Sequence, residues 1–195
     1  MPQLPSFATQ RLWVCPRTLS ELEACLAMDG EAEVLRFIPR PWSTPAQHRS
    51  FIEDRILRHY PPGLGYWSLS LKSAERHFIG WVLLIPYDAV GPEIEIGWRL
   101  RPAFWGQGYA AEAARPVLHH AFTSAALDRV VADIDPANTR SRRVAEKLGL
   151  RLASGAAAPG QALQRFCAER AVWLSSADRD AVEHTPAGGR QIGQR

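Results

Sequence analysis

A short loop between a strand and a helix most constrains how this chain can fold. Residues 93–100 alternate apolar and polar side chains, which predicts a half-buried strand. Residues 101–105 lead from it to Gly106 and Gly108, and a helical pattern then runs over 108–124. Because glycine has no Cβ, such a loop turns tightly and leaves its amides open at the positive end of the helix. The loop predicts a diphosphate site, although a plain turn would use the same glycines.

Capping and turn signals predict the order of the other elements. Thr44, Pro45 and Gln47 form a helix start with a capping box, and Gly149 is placed to end a later helix. Strands are predicted at residues 11–15, 66–72, 77–86, 93–100, 129–134, 151–153 and 168–174. Helices are predicted from Thr18 or Ser20 to about residue 28, and at 44–59, 108–124 and 138–148. This order indicates a mixed α/β domain with an antiparallel run of strands and a parallel step late in the chain.

Length and composition indicate one globular domain. The chain has 195 residues, of which 46% are hydrophobic and 22% charged, which suits a single packed core. Residues 1–175 are expected to form that domain, and the polar stretch 176–195 to be a disordered tail. The net charge of +3 comes from basic residues spread along the chain, which argues against nucleic acid as a partner.

Cysteine usage and the lack of a long apolar segment point to a compartment. Cys15, Cys25 and Cys167 form no C-x-x-C pair, which argues against a zinc site or a disulfide framework and favours a reducing cytoplasm. The N-terminus has no charged and apolar leader, and no run approaches the roughly 18 apolar residues that a membrane span needs. We therefore expect a cytoplasmic monomer or homodimer with no metal and no membrane partner.

The glycine loop also fits a dinucleotide-binding pattern. Gly106, Gly108 and Ala111 match G-x-G-x-x-A, and Asp133 or Asp135 follows at a strand end. This interpretation would make the protein a nicotinamide-dependent oxidoreductase. Against it, five residues separate the strand from the first glycine, a hairpin precedes the strand, and the chain is short for a doubly wound sheet.

The other interpretation is a resemblance to a known family. Residues 93–150 resemble the cofactor-binding core of GNAT acetyltransferases, whose loop signature is Gln or Arg, two residues, Gly, one residue, then Gly or Ala. Trp105, Gly108 and Ala110 hold those places. Tryptophan departs from the general signature but is similar to the branch that acetylates the N-termini of ribosomal proteins. The motifs that carry the resemblance are WGQGYAAEA at 105–113, TQRL at 9–12, NTRS at 138–141 and EKLGL at 146–150.

The resemblance implies a GNAT (acyl-CoA N-acyltransferase) fold and acetyl-CoA as co-substrate. Such a fold has a mixed, mostly antiparallel sheet flanked by helices, with a split between the fourth and fifth predicted strands, 93–100 and 129–134. The pantetheine arm would lie in the split and pair with the backbone, as an added strand does. The residues implied in binding are Trp98, Arg99, Leu100, Trp105, Gly106, Gln107, Gly108, Tyr109, Ala110, Asn138, Ser141 and Arg143.

Two carboxylates are candidates for the base that would deprotonate an attacking amine. Glu95 lies just before the pantetheine-binding stretch and matches the Glu of the branch's E-I-G pattern, while Glu93 on the same face is the fallback. A salt-bridged strand carboxylate is the alternative for Glu95. The oxyanion would meet a backbone N–H near Trp98.

The helix at 138–148 carries the other candidates. Asn138 is a helix cap that the resemblance also places on the cofactor arm. Ser141 would hydrogen-bond the cofactor or protonate the leaving sulfur, and Arg143 would meet phosphate, unless these are an ordinary first-turn serine and a solvated basic face. Many GNAT enzymes have a tyrosine acid seven residues after the asparagine, where this chain has Ala145.

These observations predict an N-acetyltransferase that moves acetyl from acetyl-CoA to a primary amine by direct attack in a ternary complex. The acceptor would be a protein or peptide N-terminus or a small amine. The rivals are the oxidoreductase and, because of Ala145, a catalytically weak acyl-CoA-binding sensor.

Overall fold

A computed structural model describes residues 4–37, 42–73, 77–153 and 163–175. Within these residues one eight-stranded sheet forms the centre of the molecule. Its strands are β1 (Phe7–Ala8), β2 (Leu12–Pro16), β3 (Gly65–Leu71), β4 (Phe78–Pro86), β5 (Ile94–Leu100), β6 (Arg129–Ile134), β7 (Arg151–Leu152) and β8 (Gln164–Glu169). The spatial order is β1-β2-β3-β4-β5-β6-β8-β7, so a crossover joins β5 to β6.

The sheet has a split between β5 and β6. All other neighbouring strands pair antiparallel, while β5 and β6 run parallel. This parallel pair has one registered position, Glu95 opposite Val131, so the rest of the two strands is not paired across this boundary. The expected split is therefore confirmed, and a short first strand, β1, shifts the strand count by one.

Helices cover both faces of the sheet. They are α1 (Leu22–Asp29), α2 (Ala32–Leu35), α3 (Pro45–Leu57), α4 (Tyr109–Thr123), α5 (Thr139–Lys147) and α6 (Arg170–Ser175). One core packs α1, α2 and α3 against Trp81, Leu83 and Ile85 of β4. The second core, on the other face, includes Leu84 and Ile96 with α4 and α5. Since β4 is buried on both faces, its sequence is an almost continuous apolar run.

The capping signals act as the sequence predicts. Thr44 Oγ1 accepts from Gln47 N–H at 3.2 Å, and Gln47 Oε1 accepts from Thr44 N–H at 3.2 Å. Helix α3 ends at Leu57 rather than at residue 59, because Arg58 is already extended (φ −61°, ψ 136°). Gly149 follows α5 with a φ of +83°, the left-handed conformation that a glycine stop allows.

The strand predicted at 168–174 is wrong. Strand β8 ends at Glu169, opposite Arg129, where β6 begins and further pairing has no partner. The chain then turns into α6, and the Trp173 indole donates to Leu148 O at 2.8 Å. Two short elements, α2 and β1, were not predicted. The expected tail at 176–195 lies outside the described residues.

Candidate active site

The wall of the split on β5 offers backbone groups at alternate residues. Arg101 N–H donates to Ile79 O at 2.9 Å, which shows which residues of β5 direct their backbone groups to β4. Because pairing alternates along an antiparallel strand, the backbone of Arg99 faces β4, whereas that of Trp98 and Leu100 faces the split. The Trp105 indole donates to Leu100 O at 2.7 Å. Of the three implied residues on β5, Trp98 and Leu100 therefore face the split, where Leu100 O already accepts from Trp105, whereas the backbone of Arg99 pairs with β4.

The glycine loop lies beside the split, at the start of α4. Gly106 and Gly108 have φ values of +75° and +84°, and both are exposed. Gly108 is the N-cap of the 15-residue helix, so the loop amides lie at the positive end of its dipole. A Cβ on Gly106 would meet nothing within 4 Å. Open amides at a helix end fit a diphosphate, as the sequence predicts.

Arg11, a residue of the TQRL motif with no predicted role of its own, supports this loop. Arg11 donates from Nε to Glu112 Oε2 at 2.7 Å and from Nη2 to Gln107 O at 3.0 Å. Its guanidinium lies 4.3 Å from the centroid of the Tyr109 ring. Thr9 Oγ1 donates to Glu112 Oε1 at 2.6 Å. The motifs TQRL and AAEA lie far apart in the chain but meet here. Their residues Thr9, Arg11 and Glu112 form a clamp that holds the loop.

Breaking this clamp is expected to destabilise the fold. Burial raises the pKa of Glu112, but hydrogen bonds from Thr9 and Arg11 outweigh it and hold the pKa below its usual range. Glu112→Gln weakens these charge-assisted bonds and should lower stability by about 1–2 kcal/mol, or roughly 2–8 °C in Tm. Glu23→Gln, which removes an exposed carboxylate paired with Arg49, is the control with little expected change. Equal Tm values for Glu112→Gln and wild type, measured by circular dichroism, would show that the clamp is not needed for stability.

Glu95 is the most perturbed carboxyl group near the split. Burial raises its pKa to about 7, and the negative charges of Asp133 and Asp88 add to this, while Arg55 and Arg165 oppose it. A Cβ at Gly97 would lie 3.2 Å from Leu83, which places Gly97 on the face covered by α1 and α3. Glu95, two residues earlier, shares that face. A carboxyl with a pKa near neutrality suits a general base at physiological pH.

Asp133 is held in place by an ion-pair network beside Glu95. Arg165 donates to both its oxygens, at 2.8 and 2.7 Å, and the Tyr87 hydroxyl donates to Oδ2 at 2.8 Å. Burial raises the pKa of Asp133, but these bonds outweigh it and lower the pKa below its usual value. Arg165 also pairs with Glu93. The fallback base is thus engaged in a salt bridge, and Asp133 stays charged and repels the ionised form of Glu95.

Helix α5 supplies the remaining predicted residues. Asn138 Oδ1 accepts from Ser141 N–H at 3.1 Å, so the cap is confirmed. Ser141 is half-buried in the first turn, and Arg143 is exposed. Ala145 is fully buried in the core, so this place offers no acid. The neighbouring Arg140 lies 4.9 Å from the Trp105 ring centroid, which brings the start of α5 to the glycine loop.

Comparison with known proteins matches this arrangement to a family. The family model described as "Acetyltransferase (GNAT) domain" matches residues 11–151, which include the loop, both walls of the split and α5. The chain belongs to the GNAT acetyltransferase family. The predicted fold class is thereby confirmed.

Individual relatives agree with the family. A GNAT acetyltransferase structure from Bacillus anthracis superposes with a TM-score of 0.68 at 25% identity, covering 85% of this chain and 99% of that one. The Aspergillus fumigatus protein named FsC-acetyl coenzyme A-N(2)-transacetylase is 31% identical over 75% of this chain, which spans 65% of the fungal protein. The N-acetyltransferase YnaD of Bacillus subtilis is 27% identical over 73% of this chain and 81% of its own length.

The GNAT assignment leaves the dinucleotide pattern without structural support. That pattern needs a doubly wound parallel sheet, whereas β5–β6 is the single parallel pair among the described strands. Asp133, one of the two acidic residues considered for that pattern, pairs with Arg165. In the described ranges no cluster of three or more His, Cys, Asp or Glu side chains is arranged to hold a metal ion. The helices of the same ranges are too short or too polar to cross a membrane.

Proposed function

We propose that this GNAT domain transfers acetyl from acetyl-CoA to a primary amine by direct attack in a ternary complex, with Glu95 as general base. One observation carries the proposal. Glu95 lies at the single position where the two walls of the split meet, and its pKa is raised to about 7. A base at this place is on the same strand as Trp98 and Leu100, whose backbone would hold the pantetheine arm.

Each residue has a role that its position supports. The loop amides of Gly106 and Gly108 bind the diphosphate, and the backbone of Trp98 and Leu100 binds the pantetheine amides. The acceptor nitrogen attacks the acetyl carbon and gives its proton to Glu95. A backbone N–H near Trp98 stabilises the oxyanion until the carbon–sulfur bond breaks and the thiolate leaves. A thiol pKa near 8.5 lets this group depart without a strong acid, which fits alanine at position 145.

We infer that the acceptor is an amine of low pKa, such as the N-terminus of a peptide. A base with a pKa of about 7 matches an α-amino group, whose pKa is near 7.8. At pH 7 that pKa lies about 0.8 unit above the pH, so deprotonating the amine costs roughly 1.1 kcal/mol. A lysine amine near 10.4 costs about 3.4 units, roughly 4.6 kcal/mol. The resemblance of WGQGYAAEA to the branch that acetylates ribosomal N-termini supports the same acceptor class.

The experiment compares one peptide in two forms, with a free N-terminus or with a blocked N-terminus and a free lysine. At pH 7 we expect kcat/KM to be at least about tenfold higher for the free N-terminus, because less free energy is spent on deprotonation. The gap should narrow as pH rises from about 6.5 to 9.5. Preference for lysine at pH 7 would contradict the inferred acceptor class.

A second candidate function rests on Ala145. With a buried alanine where many relatives place the acid, a protein that binds acyl-CoA as a sensor with little turnover is the alternative. Thiol release with a panel of amines separates the two. Acetyl-CoA binding without thiol release for any amine would favour the sensor.

A further inference from the structure

A buried arginine on the acceptor side of the sheet has unused hydrogen-bond donors. Arg17 follows β2 and is only 9% exposed, yet within the described residues its Nε and Nη2 are buried without a hydrogen-bond acceptor. Its backbone N–H donates to Tyr66 O at 2.9 Å, and its guanidinium lies 3.8 Å from the centroid of the Tyr66 ring. The side chain therefore packs on Tyr66, while two of its N–H donors have no acceptor. Leaving charged donors unsatisfied is costly, so their presence needs an explanation.

Arg17 is one of the residues that line a cavity, but its Nε and Nη2 each expose less than 1 Å2, so a ligand reaches them only after a small shift of the side chain. The cavity has a volume of about 200 Å3, enough for a small charged group and part of the chain that carries it. Its described lining residues are Leu4, Arg17, Arg55, Ile56, Arg58, His59, Tyr60, Leu64, Gly65 and Tyr66. This lining includes three arginines and no carboxylate, and Arg58 is already paired with Asp54 at 2.7 Å. The cavity thus favours an anion.

The cavity and Glu95 share one face of the sheet. Tyr66 and Arg55 line the cavity, and both interact electrostatically with Glu95: the Glu95 charge adds to the burial that raises the Tyr66 pKa to about 12, and Arg55 opposes the rise at Glu95. Three strand-to-strand steps separate β2 from β5, which is about 14 Å between backbones at about 4.8 Å a step. The Arg17 guanidinium lies over Tyr66 of β3, which is two steps from β5, so the distance to Glu95 is on the order of 10 Å.

We propose that this cavity binds a carboxylate of the acceptor, so that the preferred acceptor is a small amine with a carboxylate about 10 Å from its nitrogen. The proposal rests on the proposed acetyl transfer with Glu95 as base. A guanidinium with two free N–H groups suits a carboxylate, which accepts two parallel hydrogen bonds. Three extended residues span roughly 10 Å, so a tripeptide with a free C-terminus has the required length.

The test compares trialanine with trialanine amide as acceptors, by thiol release from acetyl-CoA. For the wild type we expect kcat/KM to be at least about tenfold higher for the acid than for the amide, because charged hydrogen bonds are worth that much or more. Arg17→Met should reduce the acid to the level of the amide and leave the amide unchanged. Arg49→Met, an exposed and ion-paired arginine on the neighbouring helix α3, should keep the wild-type ratio.

The measurements distinguish failure of the carboxylate site from failure of acetyl transfer. Equal kcat/KM values for acid and amide in the wild type, or an equal loss for both in Arg17→Met, would overturn the carboxylate site and leave acetyl transfer standing. If Arg17→Met does not fold, Arg17→Lys, which keeps the charge without the fork, should give an intermediate acid-to-amide ratio, and an unchanged ratio would overturn the site. Absence of thiol release with every amine would instead overturn the proposed function, and the acceptor site with it.

Discussion

Glutamine in place of Glu95 should lower kcat by about 10²–10³-fold, the range expected for loss of a general base. The affinity for acetyl-CoA should hardly change, because the side chain faces α1 and α3 rather than the glycine loop. Stopped-flow or steady-state thiol release gives kcat, and calorimetry gives the Kd. A change confined to Kd would place Glu95 in cofactor binding instead of proton transfer.

The pH dependence of kcat/KM should follow the ionisation of Glu95. In the wild type kcat/KM should rise with pH through a pKa of about 7 and then level off, because the base must be ionised. The free energy of unfolding should instead fall as pH rises. The Glu95 pKa is about 7 in the folded protein against 4.5 when unperturbed, so the folded state binds more protons between these values. The contribution of Glu95 to stability therefore falls as pH rises through that window, and Glu95→Gln should be at least as stable as the wild type at pH 8.

Glu93→Gln is the matched control for Glu95→Gln. Glu93 is on the same strand face but pairs with Arg165, so its loss should affect stability more than kcat. If Glu93→Gln lowers kcat more than Glu95→Gln does, the assignment of the two carboxylates is reversed.

Glutamate in place of Gly108 should weaken acetyl-CoA binding by at least about 100-fold, roughly 2.7 kcal/mol. The new side chain would start 3.5 Å from Arg11 Nη2 and bring a negative charge to the helix end that should meet phosphate. The φ of +84° adds a backbone cost of about 1–2 kcal/mol for a residue with a Cβ.

Gly108→Ala separates strain from charge. Alanine carries the same φ penalty without the carboxylate, so its Kd should rise much less than that of the glutamate variant. Calorimetry with acetyl-CoA measures both. Unchanged affinity in Gly108→Glu would remove the loop from the cofactor site.

Local patterns predicted the elements that local chemistry determines. The capping box at Thr44, the alternation over residues 93–100 and the glycine loop each depend on a few neighbouring residues, and each lies where the sequence placed it. The split followed from the resemblance, because a parallel step between two named strands is part of the family's architecture. Strand β8 was misplaced because its end depends on where β6 begins, which is a non-local fact.

The electrostatic environment could not be predicted from sequence. Glu93 and Glu95 look equivalent in the alternating pattern, and only folding brings Arg165 to one and leaves the other beside Asp133. Likewise Arg17 and Arg11 are ordinary arginines in the sequence. Their roles depend on contacts with residues that follow them by about fifty to one hundred positions, such as Tyr66 and Glu112.

The single registered pair between β5 and β6 also has a consequence for the lifetime of the protein. The two parts of the sheet, β1–β5 and β6–β8, are therefore held together mainly by side chains, namely the core they share and the Arg165–Glu93 pair, and local opening is expected to begin at this seam. In the proposed binding mode acetyl-CoA spans the seam, so it should hold the two parts together and lower the population of the opened form by mass action. Resistance to proteases in the cell would then follow the supply of acetyl-CoA, so that the enzyme persists where its substrate is plentiful.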